Sequence, residues 1–559
     1  MPIRDDPQRL APPLQTKLDF RQMLKPTRSA SDRPTTVQIA LWVILTLLAV
    51  FQSLSDFSAF QIGVYQDDAS YVVLAQSLVK TDRYGLMNVP GEPEPTRYPF
   101  GFPLLLSPFA RFFPGNPDLM KTLSLAATIL NSALLFWGWR SFSRSTSYWW
   151  GLAVAGLMTL SPITHGLSRT IMSEPIFTTF CLLTIVLAEK AIWGKTNPGW
   201  RLGMSLTLAM VLFIRTAGVA ILCAVFMYWL LARGKSMIQD IAWVVAGMIG
   251  WVGLIILLTP INLNSLVPAV YMQQVENPGA WGEAQVEQPF LPRTMSALWE
   301  YTNSLIQESV LPVGGGTKEQ QISAAIGMPM LPEFMGTGVT LIIILGFAWW
   351  VKREGISLPA LMTVLFLGIL LPWPWRMSRF LYPIQSQLEL GFLFGITFLG
   401  TSLTRQLRQS LPGRKAGIFT AVLVIFLLVL FAYKNLEKDT SINHTGDLSN
   451  RTTWIRGNTQ PDSVIMTDKP QVDYVYANRK TLPIPAASSL EDFALDLQDE
   501  KADYILIAPE LTWKEVYTPD YSDQTLKLLT WLEVLSSQGR VKRVYASGSD
   551  LVQVFQVIH

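Results

Sequence analysis

Apolar residues come in long blocks along most of this chain, separated by polar turns. The first block is 37–57. Ten more follow at about 119–139, 148–166, 172–192, 202–216, 217–232, 239–259, 337–351, 357–372, 381–403 and 416–433. Several reach the roughly 20 residues that carry an α-helix across a bilayer core of about 30 Å. The pair 202–216 and 217–232 is short and meets near Arg215 and Gly218, as two half-spans would. Two long polar intervals, 58–118 and 260–336, interrupt the series, and a loop as long as the second is often functional, for example as a lid. After residue 434 the blocks shorten and charges rise. Ser463–Thr467, Tyr504–Ala508, Val541–Ala546 and Val552–Ile558 read there as strands. Ser489–Asp499 and Thr525–Ser537 read as helices, the first capped by Ser489. The pattern predicts a polytopic α-helical membrane protein, with about 11 spans over 37–433 and a small α/β domain over 434–559.

Basic residues orient this arrangement. Residues 1–36 are polar, Pro-rich and basic, as expected of a disordered cytoplasmic tail leading into a signal anchor. Alternate turns carry Arg140, Arg144, Lys190, Lys195, Arg201, Arg233, Lys235, Lys352, Arg353, Arg405, Arg408, Arg414 and Lys415. By the positive-inside bias those turns are cytoplasmic. The loops 58–118 and 260–336 and the C-terminal domain then lie on the outer face.

Composition narrows the chemistry. Of 559 residues, 50% are hydrophobic and 15% charged, too apolar for a soluble protein of this size. The net charge of +3 is dispersed and points to no nucleic-acid partner. Cys181 and Cys223 fall inside apolar blocks, and His165, His444 and His559 are scattered. No disulfide framework and no Cys/His metal spacing follows from them. Gly314-Gly315-Gly316 lacks the Lys-Ser/Thr of a phosphate loop, and the C-terminal domain has no GxGxxG.

Five places carry candidate chemistry, and each has a structural alternative. Asp67 and Asp68 open Tyr65–Leu78, where a span gives way to water. Behind them Tyr71, Leu74, Ala75, Leu78 and Val79 make one apolar helix face, as for a helix lying along a membrane surface. An acid there serves as a general base or a metal ligand; the alternative is a helix cap. Arg97 and Tyr98 open the segment Arg97–Pro108, whose prolines and glycine predict a bent juxtamembrane stretch rather than a regular helix. Arg97 suits a phosphate or carboxylate, or anchors that stretch at the interface. Glu174, in the SEP motif at the mouth of a span, is a functional acid or a helix N-terminal carboxylate with Arg169 as a nearby partner. Arg215, in FIRTAG, needs an anion: a lipid phosphate or a structural carboxylate. Arg376, Arg379 and Tyr382, in WPWRMSRFLYP, sit at an outer span end against the charge bias, as a phosphate site or as an aromatic-belt anchor would. All five places fall on the outer side of this topology.

DDASYVVLAQSL, RYPFGFPLLLSP, SEPIF, FIRTAG and SRFLYPI, in this order, resemble the GT-C superfamily of membrane glycosyltransferases, in the branch of protein O-mannosyltransferases and lipid A aminoarabinose transferases. The resemblance runs over nearly all of the chain from residue 37, and it rests on the ordered set rather than on any one motif. It implies transfer of a sugar from a polyprenyl-phosphate donor to a cell-envelope lipid, glycan or protein on the outer face. It implies that Asp67 is the leading catalytic carboxylate, with Asp68 beside it where many relatives have Glu. It makes Arg215, Arg376 and Arg379 candidates for the donor phosphate. Thr96 and Arg97 stand where some relatives carry an acid, so a metal site built on that acid is unsupported and the need for a divalent cation stays open. The expected location is a bacterial plasma membrane, with the N-terminus cytoplasmic and the C-terminal domain extracytoplasmic. Two other classes compete: a transporter or flippase of a lipid-linked anion, and a non-catalytic envelope-assembly scaffold. The first calls for inverted repeats and mid-span charges, and the sequence displays no repeat.

Overall fold

Each of the eleven apolar windows holds a helix in this computed structural model. The structure describes residues 33–55, 57, 62–63, 67–93, 98–143, 146–193, 198–233, 238–259, 289–311, 330–406, 413–436, 445–485, 487–508, 523–547 and 552–558. Arg97, Gly314–Gly316 and most of the predicted tail and of the 260–336 loop lie outside these residues. Five helical segments are long and apolar enough to cross a membrane: Thr36–Ser55, Pro117–Trp137, Ser173–Ile192, Leu331–Glu354 and Ile418–Leu436. The other windows hold helices that fall short of that length or hydropathy over their described residues.

The bundle comprises α1 (Thr36–Ser55), α2 (Asp67–Lys80), α3 (Gly101–Phe112), α4 (Lys121–Trp137), α5 (Tyr148–Leu160), α6 (Pro162–Ser168), α7 (Ser173–Trp193) and α8 (Pro198–Ile214). It continues with α9 (Val219–Arg233), α10 (Ile238–Leu258), α11 (Phe290–Glu300), α12 (Leu331–Glu354), α13 (Leu358–Leu370), α14 (Gln385–Gln406) and α15 (Gly413–Leu436). Ile418, Val422, Ile425, Phe426 and Val429 make an outward apolar stripe on α15, and Val37, Ile44, Leu47 and Phe51 are similarly exposed on α1. Such faces are stable against lipid tails and costly in water. Inside, α12 and α14 touch through glycine: a Cβ on Gly346 would run into the Gly391 carbonyl, and one on Gly395 into that of Ile342. Small residues at a crossing let two backbones meet, which is how helices gain packing contact within a membrane.

Three local expectations change. The window 148–166 is two helices, because Ser161 leaves the helical region and accepts the Thr164 N–H while Pro162 opens α6. The proline-rich segment forms a regular helix, α3, with Pro108 inside it. Pro103 falls in its first turn, where a missing N–H costs no intrahelical bond. Lastly, α2 does not lie open on a membrane surface. Every residue from Asp68 to Leu78 is buried, because α2 packs against α3 and against a helix of the C-terminal domain.

That domain contains α16 (Thr445–Asn458), β1 (Val464–Thr467), α17 (Pro470–Ala477), β2 (Lys480–Pro483), α18 (Leu490–Asp499), β3 (Tyr504–Ile507), α19 (Asp523–Ser537), β4 (Val541–Ala546) and β5 (Gln553–Val557). The strand order is β2-β1-β3-β5-β4. β1 runs parallel to β2 and β3, and β5 is antiparallel to both β3 and β4. Met466, Phe493, Leu532 and Phe555 fill one face of the sheet, and Ile455, Ile465, Leu506 and Val554 the other. β2, α16 and α17 were not expected from the sequence. Lys480–Pro483 is short and ends in proline, and Pro470–Ala477 makes barely two turns. Ser489 does cap α18, accepting the Asp492 N–H at 3.1 Å.

Candidate active site

Four charged side chains from four parts of the bundle meet at the end that carries the sheet domain. Asp67 is the first residue of α2, so its carboxylate stands where the helix amides are free and a negative charge is favoured. Glu174 lies in the first turn of α7. Arg215 follows α8 in an extended conformation, φ −150°, and a short 3₁₀ turn then restarts the chain as α9. This interruption aims the guanidinium back over the α7 terminus. Arg379 lies in a 3₁₀ helix, Ser378–Ile384, that leads into α14.

The four form a chain of contacts. Arg379 Nη2 is 3.1 Å from Asp67 Oδ2, and Arg379 Nη1 is 3.7 Å from Glu174 Oε1. Arg215 Nη1 reaches the same Glu174 oxygen at 3.0 Å and donates to Ser173 Oγ at 2.8 Å. Tyr98 donates its hydroxyl to Asp67 Oδ1 at 2.9 Å. Burial, and next the charge of Asp67, hold the Tyr98 hydroxyl protonated far above the usual tyrosine range, so it stays a donor. Tyr71 O–H and Ser173 Oγ are 3.2 Å apart, and the Tyr71 ring packs edge-on against Tyr98 at 5.2 Å. The guanidiniums of Arg215 and Arg379 both lie over the Phe380 ring, 5.6 and 5.1 Å from its centroid. Glu174 is 1% exposed and Arg379 10%, whereas Arg215 is 24% and Asp67 36% exposed. Two cations therefore share one buried carboxylate, and a half-open second carboxylate stands beside them.

Of the residues singled out from the sequence, Asp67, Tyr98, Glu174, Arg215 and Arg379 come together here. Arg97 lies outside the described residues, and the others are elsewhere. Asp68 turns away and is 1% exposed. Arg376, three residues before Arg379, grips α11 instead: it donates to Ser296 Oγ at 2.9 Å and to the Arg293 carbonyl at 3.1 Å, and pairs with Glu300 at 3.0 Å. Tyr382 is fully buried inside the bundle next to Asn131 and Thr164. Arg169 sits near Lys121, and Glu174 is met by Arg215 and Arg379. Sequence reasoning missed Ser173, Tyr71, Phe380, and the two methionines whose sulfurs face Arg379, Met377 at 3.3 Å and Met172 at 3.7 Å. SEP and SRF did contain the signal for Ser173 and Phe380. It also passed over Glu389, buried within α14 with Gln385 Nε2 at 2.9 Å.

Among the described residues no group of three His, Cys, Asp or Glu side chains is arranged to hold a metal ion. At the site itself the Arg379 guanidinium reaches from Asp67 to Glu174, so a cation bridging these two acids would have to displace it.

The same architecture is found among GT-C membrane transferases. The oligosaccharyltransferase of Archaeoglobus fulgidus, tethered to an acceptor peptide containing an NVT sequon, superposes with a TM-score of 0.52 at 12% identity, over 84% of this chain and 69% of that one. Its apo form gives 0.51 at 11% identity over the same shares. ArnT of Cupriavidus metallidurans bound to undecaprenyl phosphate gives 0.48 at 11% identity, over 93% of this chain and 98% of ArnT. No protein-family model matches the sequence, and no curated protein matches it. This chain has the GT-C fold, and identities this low establish the fold without its chemistry.

Proposed function

We propose that this protein is a membrane glycosyltransferase that moves a sugar from a polyprenyl-phosphate donor to an acceptor at the outer membrane face. The observation that carries the reading is the pair Arg215 and Arg379 gathered on Glu174 beside the half-open Asp67, at one end of a GT-C bundle. Arginines in a site of low dielectric suit a phosphate leaving group, whose charge grows as the glycosidic bond breaks.

The reaction is a displacement at the anomeric carbon. An acceptor hydroxyl attacks, the bond from that carbon to the lipid-phosphate oxygen breaks, and the electron pair leaves with the phosphate. Asp67 takes the hydroxyl proton. In the resting arrangement Tyr98 and Arg379 each hold one Asp67 oxygen. An arriving phosphate competes for Arg379, and transfer of that guanidinium from Asp67 Oδ2 to the phosphate frees the oxygen for the proton. Glu174 keeps both arginines in place throughout. A phosphate acceptor is already ionised and needs no such base. The interfacial depth of the site suits a donor held in the bilayer by its isoprenoid tail. Eleven spans with the C-terminal domain outside is the topology this reading requires.

The test is a lipid and glycan mass-spectrometry comparison in the native host of wild type, a deletion, Asp67→Asn and Arg379→Ala at matched expression. The expected result is that polyprenyl-phosphate sugar accumulates and one glycoconjugate disappears in all three altered strains. A changed profile in the deletion with a wild-type profile in both variants would sink the transferase reading and leave a transport or scaffold role.

A further inference from the structure

Asp68 is next to Asp67 in the chain but is built into something else. Its carboxylate accepts the Gly63 N–H through both oxygens, at 3.0 and 2.9 Å, and the Ala69 N–H at 2.8 Å. The first turn of α2 is thereby tied to the turn Ile62–Gly63. That turn is held from its other side by α17 of the sheet domain. Ile62 donates its N–H to the Tyr476 hydroxyl at 3.1 Å, and the same hydroxyl is 3.4 Å from each Asp118 carboxylate oxygen. Asp118 pairs with the buried Lys121 at 2.9 Å. Gly63 adopts φ +113°, and a Cβ there would lie 2.8 Å from Val472 Cγ1, so the domain sits directly against the backbone. A second attachment runs along β2. Thr481 N–H donates to the Asn88 carbonyl at 2.7 Å, Asn88 Nδ2 donates to Thr481 Oγ1 at 3.1 Å, and Lys480 pairs with Glu92 at 2.9 Å.

We infer that Tyr476 is a positioning residue for transfer: through Ile62–Gly63 and Asp68 it fixes the first turn of α2 and so the place of Asp67. The inference rests on the transferase reading for its catalytic arm only. A first helical turn has free amides and frays unless it is tied down. Here the tie is a buried carboxylate that cannot shift without giving up the Gly63 and Ala69 N–H groups, and its far anchor is one phenol. Burial, and after it the charge of Asp118, hold that phenol protonated well above the ordinary tyrosine range. It therefore stays a donor to Asp118 while accepting from Ile62. A misplacement of about 1 Å at a reacting group costs on the order of 10²-fold in rate.

Tyr476→Phe keeps the ring and removes the hydroxyl, and the full-length protein in lipid nanodiscs is the material. Three results are expected. Amide exchange at Gly63 and Ala69 accelerates while the Tm stays within a few degrees of wild type. Binding of undecaprenyl phosphate, followed by native mass spectrometry, stays within about twofold, since Arg215 and Arg379 are untouched. Product formation in the native host falls by roughly 10- to 100-fold. Unchanged exchange at Gly63 and Ala69 overturns the inference, and so does a joint collapse of Tm and lipid binding that Val472→Ala, which leaves the hydroxyl in place, reproduces equally. Failure of the transferase reading looks different: Arg379→Ala would keep undecaprenyl phosphate binding and Asp67→Asn would keep the glycoconjugate, whatever the exchange at Gly63.

Discussion

Asp67 and Asp68 are adjacent carboxylates in two charge clusters that obey different rules. Asp67 is 36% exposed and held by two side chains, a phenol and a guanidinium. Asp68 is 1% exposed and held by three contacts from backbone amides. Side chains can swing to another partner, whereas backbone amides in a folded segment cannot. A buried carboxylate occupied by backbone amides is poorly placed to take up a substrate, and its removal leaves buried donors unpaired. The cluster around Asp67 is suited to exchange of partners, and the cluster around Asp68 to staying fixed.

The sharpest test of this difference is the matched pair of amides. Asp67→Asn removes the proposed base and lowers transfer by about 10²- to 10⁴-fold with little change in Tm. Glu174→Gln comes next. It leaves two arginines without their shared buried anion, which costs about 3 kcal/mol in stability by thermal unfolding and weakens undecaprenyl phosphate binding. Asp68→Asn differs from Asp67→Asn in costing stability as well as transfer. Its new NH₂ group faces the Gly63 N–H donor, and the expected loss is about 1–3 kcal/mol in stability, with lipid binding retained. If Asp68→Asn left the Tm unchanged and abolished transfer, the division between the two clusters would be wrong.

A third carboxylate gives the smallest effect and lies between the two types. Asp492 is exposed at the start of α18, and hydrogen bonds from Ser488 and then Ser489 hold its pKa below the usual 3.8. A folded pKa below the unfolded one means that the charged form favours folding. The contribution is present above pH 3.8 and is lost as pH falls through the lower folded value. Wild type should therefore have a slightly higher Tm than Ser488→Ala at neutral pH, and the difference should close in acid.

Much of the helical framework was legible because apolar blocks of membrane length have few other stable forms. The site was legible in part. Asp67, Glu174, Arg215 and Arg379 each stood out as a charge where hydrocarbon or an interface was expected, and the structure brings the four together. Arg376 and Arg379 carried the same signal and parted, because the chain is irregular at Arg376 and becomes 3₁₀ at Ser378. Direction at such a junction depends on what packs there, in this case α11. The burial of α2 was hidden for a similar reason. Its apolar face was visible, but part of the cover on the helix comes from α17, a segment too short to be recognised by periodicity.

The bond from Ile62 to Tyr476 joins residues 414 positions apart. During synthesis the Asp67 turn must therefore wait for most of the protein to be made. At about 5–20 residues per second that delay is some tens of seconds. Throughout it the bundle can insert and pack while the acid end stays unfastened. A chain cut short before α17 would reach the membrane with its helices in place and the Asp67 turn unfastened.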